Sequence, residues 1–147
     1  MKDITKGTYA HRFQGHALDQ HGTSYYLAGL GYLKISKQGD GSYAIKGQQD
    51  TVLNPNSLND DMAKLVKNRQ YKLDGSLNWN SDKIMWVANI KFSGMGDDEG
   101  VILKGGFVFS ETGNRDQFWL MSTSLEVMDG ENVIPAEAVS GEAHLIS

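Results

Sequence analysis

The stretch YKLDGSLNW at residues 71–79 carries the clearest pattern in the chain. Every second position is apolar or glycine, and the positions between are polar: Tyr71, Leu73, Gly75, Leu77 and Trp79 against Lys72, Asp74, Ser76 and Asn78. A two-residue period is that of a β-strand with one buried face. Strands with one buried and one solvated face are typical of antiparallel sheets. The stretch therefore predicts a half-buried antiparallel strand.

The same period recurs along the whole chain. The predicted strands cover residues 9–17, 25–35, 43–53, 71–79, 84–92, 101–110, 118–127 and 139–145. Most are separated by short turns rich in Gly, Asp and Asn, which is the signature of hairpin connections. We therefore predict an all-β fold in which residues 1–147 form one domain.

A meander of eight antiparallel strands exposes two sheet edges unless it closes on itself. Glycines occur inside the predicted strands, where they allow a strand to bend sharply. Their positions are 15, 29, 31, 47, 75, 105, 106 and 141. We predict a single closed eight-stranded antiparallel β-barrel, and a two-sheet sandwich is the alternative.

One interruption has a different period. Ser57 and Asp60 have the spacing of a helix capping box, and apolar residues follow at helical spacing: Leu58, Met62, Leu65 and Val66. Residues 57–67 are therefore predicted to form a short helix between the third and fourth strands. Such a helix would either cap one mouth of the barrel or lie on its surface.

Composition excludes several classes of protein. The net charge is −4 and the 14 basic residues form no run, so no nucleic-acid partner is expected. No amphipathic basic helix or long apolar run is present, so no membrane partner is expected. The N-terminus has no apolar signal-peptide core, which indicates a cytoplasmic protein, although an exported protein already cleaved from its leader would look the same.

The sequence offers no motif for a metal ion or a cofactor. The chain has no cysteine, and His11 and His16 are five residues apart, which places them on opposite faces of one strand. The acidic segment 97–99 lacks the alternating oxygen ligands of a calcium loop and is interpreted as a solvated turn. We therefore predict no metal and no cofactor.

Several segments resemble a group of small bacterial β-barrel proteins. They are GTYAHRFQG at 7–15, AGLGYL at 28–33, GDGSY at 39–43, YKLDGSL at 71–77 and VSGEA at 139–143. That group is similar to the allene oxide cyclase and lipocalin (calycin-like) barrels. The resemblance implies an eight-stranded barrel and, through the cyclases, an apolar cavity that folds a flexible substrate. The catalytic glutamate and pocket proline of the cyclases match no motif here, so no catalytic residue is assigned.

The candidate ligand site is the aromatic face of the strands. Large aromatic residues are predicted to point inward at Tyr9, Tyr43, Tyr71, Trp79, Trp86 and Trp119. His11, Gln49, Thr51 and Thr123 would add polar groups that orient a ligand. The predicted ligand-binding set is Tyr9, His11, Tyr43, Gln49, Tyr71, Trp86, Trp119 and Thr123. The expected ligand is a small hydrophobic or aromatic molecule.

Three functions fit this pattern. The first is a binding protein with an open cavity, because an eight-stranded barrel can hold one small ligand. The second is a cofactor-free cyclase or isomerase, in which His11 or a tyrosine hydroxyl assists the reaction. The third is a filled barrel that acts through its surface as a homo-oligomer, a dimer or a trimer. The second strand favours the third, because residues 25–35 are apolar on nearly both faces.

Overall fold

The computed structural model describes residues 3–18, 24–55, 67–114, 116–129 and 132–147. Its eight strands are β1 (Gly7–Leu18), β2 (Ser24–Lys37), β3 (Tyr43–Pro55), β4 (Lys67–Asn80), β5 (Met85–Gly94), β6 (Val101–Glu111), β7 (Gln117–Asp129) and β8 (Asn132–Leu145). Each strand pairs with the next in antiparallel register, and β8 pairs with β1 to close the barrel. The predicted closed eight-stranded antiparallel barrel is confirmed.

Helical structure is confined to one short turn within the described residues, the 3-10 turn Gly96–Asp98 between β5 and β6. Residues 57–66 of the predicted helix lie outside the described residues, and Lys67 already begins β4. In the part of the chain that is described, no helix has the length and hydropathy needed to cross a membrane.

The meander places the connections at two opposite ends of the barrel. One end, here called the terminal end, holds the start of β1, the end of β8 and the β2–β3, β4–β5 and β6–β7 connections. The opposite end, here called the far end, holds the ends of β1, β3, β5 and β7 and the starts of β2, β4, β6 and β8. This division matters because the two halves of the interior differ in chemistry.

The inward face follows the predicted alternation on most strands. Tyr9, His11 and Phe13 of β1 are buried, and the fourth strand buries Tyr71, Leu73 and Leu77 as its pattern indicated. The interior core combines these with residues from every other strand: Leu27, Leu33, Ile35, Tyr43, Ile45, Trp86, Ala88, Ile90, Phe92, Val101, Leu103, Phe107, Phe109, Phe118, Leu120, Val139 and Ala143. The two-residue period therefore gives the correct phase on β1, β3, β4, β5 and β8.

The predicted phase of β7 is wrong over its first half. Phe118 and Leu120 are buried, whereas Trp119 is 54% exposed and Met121 is 63% exposed on the outer wall. The cause is a register shift opposite Gly106 and Phe107, which pair with Ser124 and Ser122 and leave Thr123 as an extra residue. A bulge of one residue reverses which positions point inward. Trp119 and Thr123 are both exposed and do not belong to the interior.

Four inward-facing glycines lie where neighbouring strands approach most closely. A Cβ atom at Gly31 would overlap the carbonyl oxygen of Gln48, and one at Gly47 would overlap that of Tyr32. A Cβ atom at Gly75 would likewise overlap the carbonyl oxygen of Asn89 on β5. At the seam that closes the barrel, Gly141 of β8 lies against the carbonyl oxygen of Arg12. At these positions a glycine permits an approach of the neighbouring strand that any side chain would block.

We expect Gly47→Ala to destabilise the barrel by about 3 kcal/mol or more, because the added methyl group overlaps backbone that cannot rotate away. The matched control is Gly39→Ala in the β2–β3 turn, where nothing lies within 4 Å of the added atom. That change should alter the free energy of unfolding by less than about 0.5 kcal/mol. Urea denaturation of both variants measures the difference, and equal stabilities would contradict the close approach.

Candidate functional site

The terminal half of the interior is occupied by packed aromatic rings. Tyr43 and Trp86 meet edge to face with ring centroids 5.4 Å apart, and Trp79 packs on Trp86 at the same centroid distance. Tyr9 and Phe118 are in contact at 5.9 Å. Such pairs stabilise a core beyond the area that they bury. Three residues of the predicted ligand site, Tyr9, Tyr43 and Trp86, are therefore part of this packing.

The N-terminal segment covers these rings. The backbone N–H of Ile4, itself buried, donates a hydrogen bond to the Tyr43 hydroxyl oxygen at 3.1 Å. The Tyr9 hydroxyl donates to the carbonyl oxygen of Thr5 at 2.7 Å. Burial raises the pKa of Tyr9 to about 12, with a further contribution from the nearby Asp116 carboxylate, so the hydroxyl keeps its proton. Residues 4 and 5 thereby bind to Tyr43 and Tyr9 at the terminal end.

A chain of polar side chains crosses the interior from β1 to β3. His11 Nε2 lies 2.9 Å from Gln49 Oε1, and Gln49 Nε2 donates to Thr51 Oγ1 at 2.8 Å. All three side chains are buried, with exposures of 4%, 5% and 3%. Since Gln49 and Thr51 follow β3 toward the far end, the chain runs from the middle of the barrel in that direction. We call His11, Gln49 and Thr51 the polar relay.

Glycines on β2 make the polar relay geometrically feasible. Gly31 is the register partner of both His11 on β1 and Gln49 on β3, so the hydrogen bond spans two inter-strand spacings, about 10 Å between backbones. A side chain at position 31 would fill the space between them. The Gln49 amide also lies over Gly29, where a Cβ atom would come within 2.6 Å of Gln49 Nε2.

The relay determines the protonation of His11. An amide oxygen can only accept a hydrogen bond, so Nε2 carries the proton that His11 shares with Gln49. Burial lowers the pKa of His11 below the ordinary value of 6.5, and the hydrogen bond to Gln49 opposes this only in part. The imidazole is therefore neutral at pH 7, and its Nδ1 atom is a bare acceptor.

That acceptor has no hydrogen-bond partner among the described residues. A buried acceptor without a partner costs about 1–3 kcal/mol. Trp86 Nε1, a buried donor in the terminal half, also lacks a hydrogen-bond partner in the described part of the chain. The two atoms are opposite in kind, because the histidine nitrogen needs a donor and the indole N–H needs an acceptor.

Aromatic rings surround the relay on the side of the far end. The His11 ring lies 5.2 Å from the Phe13 ring, measured between centroids. Phe13 contacts both Phe92 and Phe107, and Phe92 in turn meets Tyr71 edge to face. The acceptor of His11 therefore belongs to an interior that is otherwise apolar. A group with that environment can orient a ligand by a single hydrogen bond.

A groove of about 490 Å³ lies at the far-end rim. Its lining includes Thr51 of the polar relay, Arg69 and the Met95–Asp97 segment between β5 and β6. The polar relay thus begins at a residue that lines a surface groove and ends at the buried imidazole. The acidic segment itself forms an exposed turn, as the sequence indicated, with Asp97 and Glu99 in solvent.

The structure brings together six of the eight predicted site residues in the interior: Tyr9, His11, Tyr43, Gln49, Tyr71 and Trp86. Trp119 and Thr123 were predicted to join them and instead lie outside the barrel. Whether the interior six bind a ligand stays a prediction. Sequence reasoning missed the bond between His11 and Gln49, which are 38 residues apart and joined by no local pattern.

Metal chemistry has no support in the described residues, which contain no group of three or more His, Asp or Glu side chains suited to hold an ion. Comparisons with known proteins were also negative. No protein-family model matches the chain, and neither a curated protein nor a solved structure matches it. A function for this protein can therefore be inferred only from the residues of the barrel interior.

The lowered pKa of His11 predicts a loss of stability in mild acid. Below pH 6.5 the unfolded chain takes up a proton at this histidine that the folded chain does not, so the free energy of unfolding falls. Between about pH 7.5 and pH 5.5 one such group contributes up to about 1.4 kcal/mol of loss. His11→Gln should remove this contribution, which urea denaturation at both pH values measures. An equal pH dependence in both chains would show that His11 titrates normally.

Proposed function

We propose that the protein binds a small, largely apolar or aromatic molecule in the far half of its barrel. The ligand donates one hydrogen bond to Nδ1 of His11 and packs on the rings of Phe13, Phe92 and Tyr71. The observation that carries the proposal is the buried, unpartnered acceptor of a neutral imidazole. A ligand with a hydroxyl or N–H group would satisfy that acceptor and recover its desolvation cost.

The contrast between the two halves of the barrel supports the choice of the far half. In the terminal half, the hydroxyl groups of Tyr9 and Tyr43 are already hydrogen-bonded. The Tyr9 hydroxyl donates to the carbonyl oxygen of Thr5, and the Tyr43 hydroxyl accepts from the backbone N–H of Ile4. Toward the far end, the polar relay leaves one acceptor unused, and Thr51 reaches the lining of the rim groove. Entry from the far end would bring a ligand past Thr51 and the rings of Phe13, Phe92 and Tyr71 to the imidazole of His11.

Native mass spectrometry of the chain purified from its own host tests the proposal. We expect a small molecule retained by the wild-type chain and lost from His11→Ala. The matched control is His144→Ala, because His144 is an exposed histidine, and that variant should retain the molecule.

Phenol and anisole form a matched pair of probes for the hydrogen bond, since methylation removes the donor of phenol. We expect phenol to bind at least about fivefold more tightly, as the loss of one hydrogen bond to a buried acceptor costs about 1–3 kcal/mol. The difference should vanish in His11→Ala. If no molecule is retained and neither probe binds, the ligand-binding proposal fails.

A cyclase or isomerase reaction is the second candidate, and the same imidazole favours it. A neutral, desolvated histidine with a bare nitrogen has the state required of a general base. An enzyme of this kind would convert the retained molecule, whereas a binding protein would release it unchanged. Mass spectrometry of the compound before and after incubation with the protein separates the two functions.

A further inference from the structure

The outer wall of the barrel is apolar on one side. Six of the large apolar side chains exposed in the described residues lie on β3, β2 and β7: Tyr26, Leu30, Tyr32, Val52, Trp119 and Met121. Leu30 is 66% exposed, Met121 63% and Trp119 54%, which are high values for residues in the middle of a strand. The wall formed by β4, β5 and β6 instead carries exposed polar and charged side chains, among them Lys72, Asp74, Lys91 and Lys104.

The register aligns the apolar residues about a central ion pair. Leu30 of β2 pairs with Arg12 of β1, Arg12 pairs with Glu142 of β8, and Glu142 pairs with Trp119 of β7. One row across four strands therefore reads apolar, basic, acidic, apolar. Arg12 Nε and Glu142 Oε1 are 3.1 Å apart, and the Arg12 side chain is 68% exposed. A line between β1 and β8 therefore has a positive charge on one side, a negative charge on the other, and an apolar residue beyond each.

A groove of about 390 Å³ runs across the same strands. Trp119 and Met121 line it from β7, Arg12 and Gln14 line it from β1, and Gly141 of β8 lies between them. A groove beside exposed aromatic and apolar side chains is the shape that receives a protruding side chain in an interface.

We propose that a second copy of this chain docks on this wall as a two-fold symmetric dimer. A two-fold axis parallel to the strands, between β1 and β8, places β2 of each copy on β7 of the other. Leu30 then lies over Trp119 of the second copy. The same rotation sets each Arg12 opposite Glu142 of the other copy. Each of these side chains then has one oppositely charged partner in its own copy and one in the other copy. Self-complementarity of this kind is what an isologous interface requires.

Sedimentation analysis of the full chain, from micromolar to millimolar concentration, tests the dimer. We expect Leu30→Lys to weaken dimerisation by at least about tenfold, because it places a charge against Trp119. Met121→Lys, on the opposite flank, should have the same effect and covers the case in which Leu30→Lys does not fold. Lys72→Glu on the polar wall is the matched control and should leave the dimer unchanged.

Charge reversal tests the symmetry itself. Arg12→Glu and Glu142→Arg should each be monomeric alone, since each homodimer would oppose like charges at two places. Mixing the two variants should restore a dimer, because both contacts between the copies again join an acid to a base. A wild-type chain that stays monomeric at all concentrations, or a mixture that does not associate, would overturn the proposal. A trimer, or equal weakening by Lys72→Glu, would also overturn it.

Discussion

The close approach of neighbouring backbones at inward-facing glycines is the constraint on which the barrel depends. At Gly31, Gly47, Gly75 and Gly141 the carbonyl oxygen of the adjacent strand occupies the place of a Cβ atom. Eight strands of 10 to 14 residues can close with such tight coiling only where the inner face is free of side chains. The last of these glycines lies at the β1–β8 seam, so the closure itself rests on it.

The same glycines shape the chemistry of the interior. Gly31 separates His11 from Gln49 and leaves room for the hydrogen bond between them. That bond holds the proton on Nε2 and, together with burial, leaves Nδ1 of a neutral ring as an acceptor. The glycine at position 31 thus leaves the space in which the polar relay crosses β2.

The sequence predicts which residues of a strand face inward only where apolar and polar residues alternate clearly along that strand. β4 has apolar residues on one face only, so its phase was unambiguous and correct. β7 is apolar at four consecutive positions, 118–121, and its predicted phase assumed an unbroken alternation from Trp119 to Val127. A bulge leaves no compositional mark in such a segment, which is why Trp119 and Thr123 were placed inside.

Hydrogen bonds between residues far apart in the sequence could not be predicted from it either. The pairing of His11 with Gln49 and of Ile4 with Tyr43 joins residues 38 and 39 positions apart. The inward face of His11 followed from its place between Tyr9 and Phe13, but its partner did not. The fold was therefore predictable from periodicity and glycines, whereas the state of the candidate functional group required the register of three strands.

The tautomer and titration of His11 are the most direct test, since the neutral acceptor is central to the proposed function. Nitrogen-15 NMR of histidine-labelled protein reports which ring nitrogen carries the proton. At neutral pH we expect the proton on Nε2, and a pKa below 6.5. Gly29→Ala should disturb this state, because the added methyl group displaces the Gln49 amide. A proton on Nδ1, or an ordinary pKa, would contradict the proposed acceptor and the ligand site built on it.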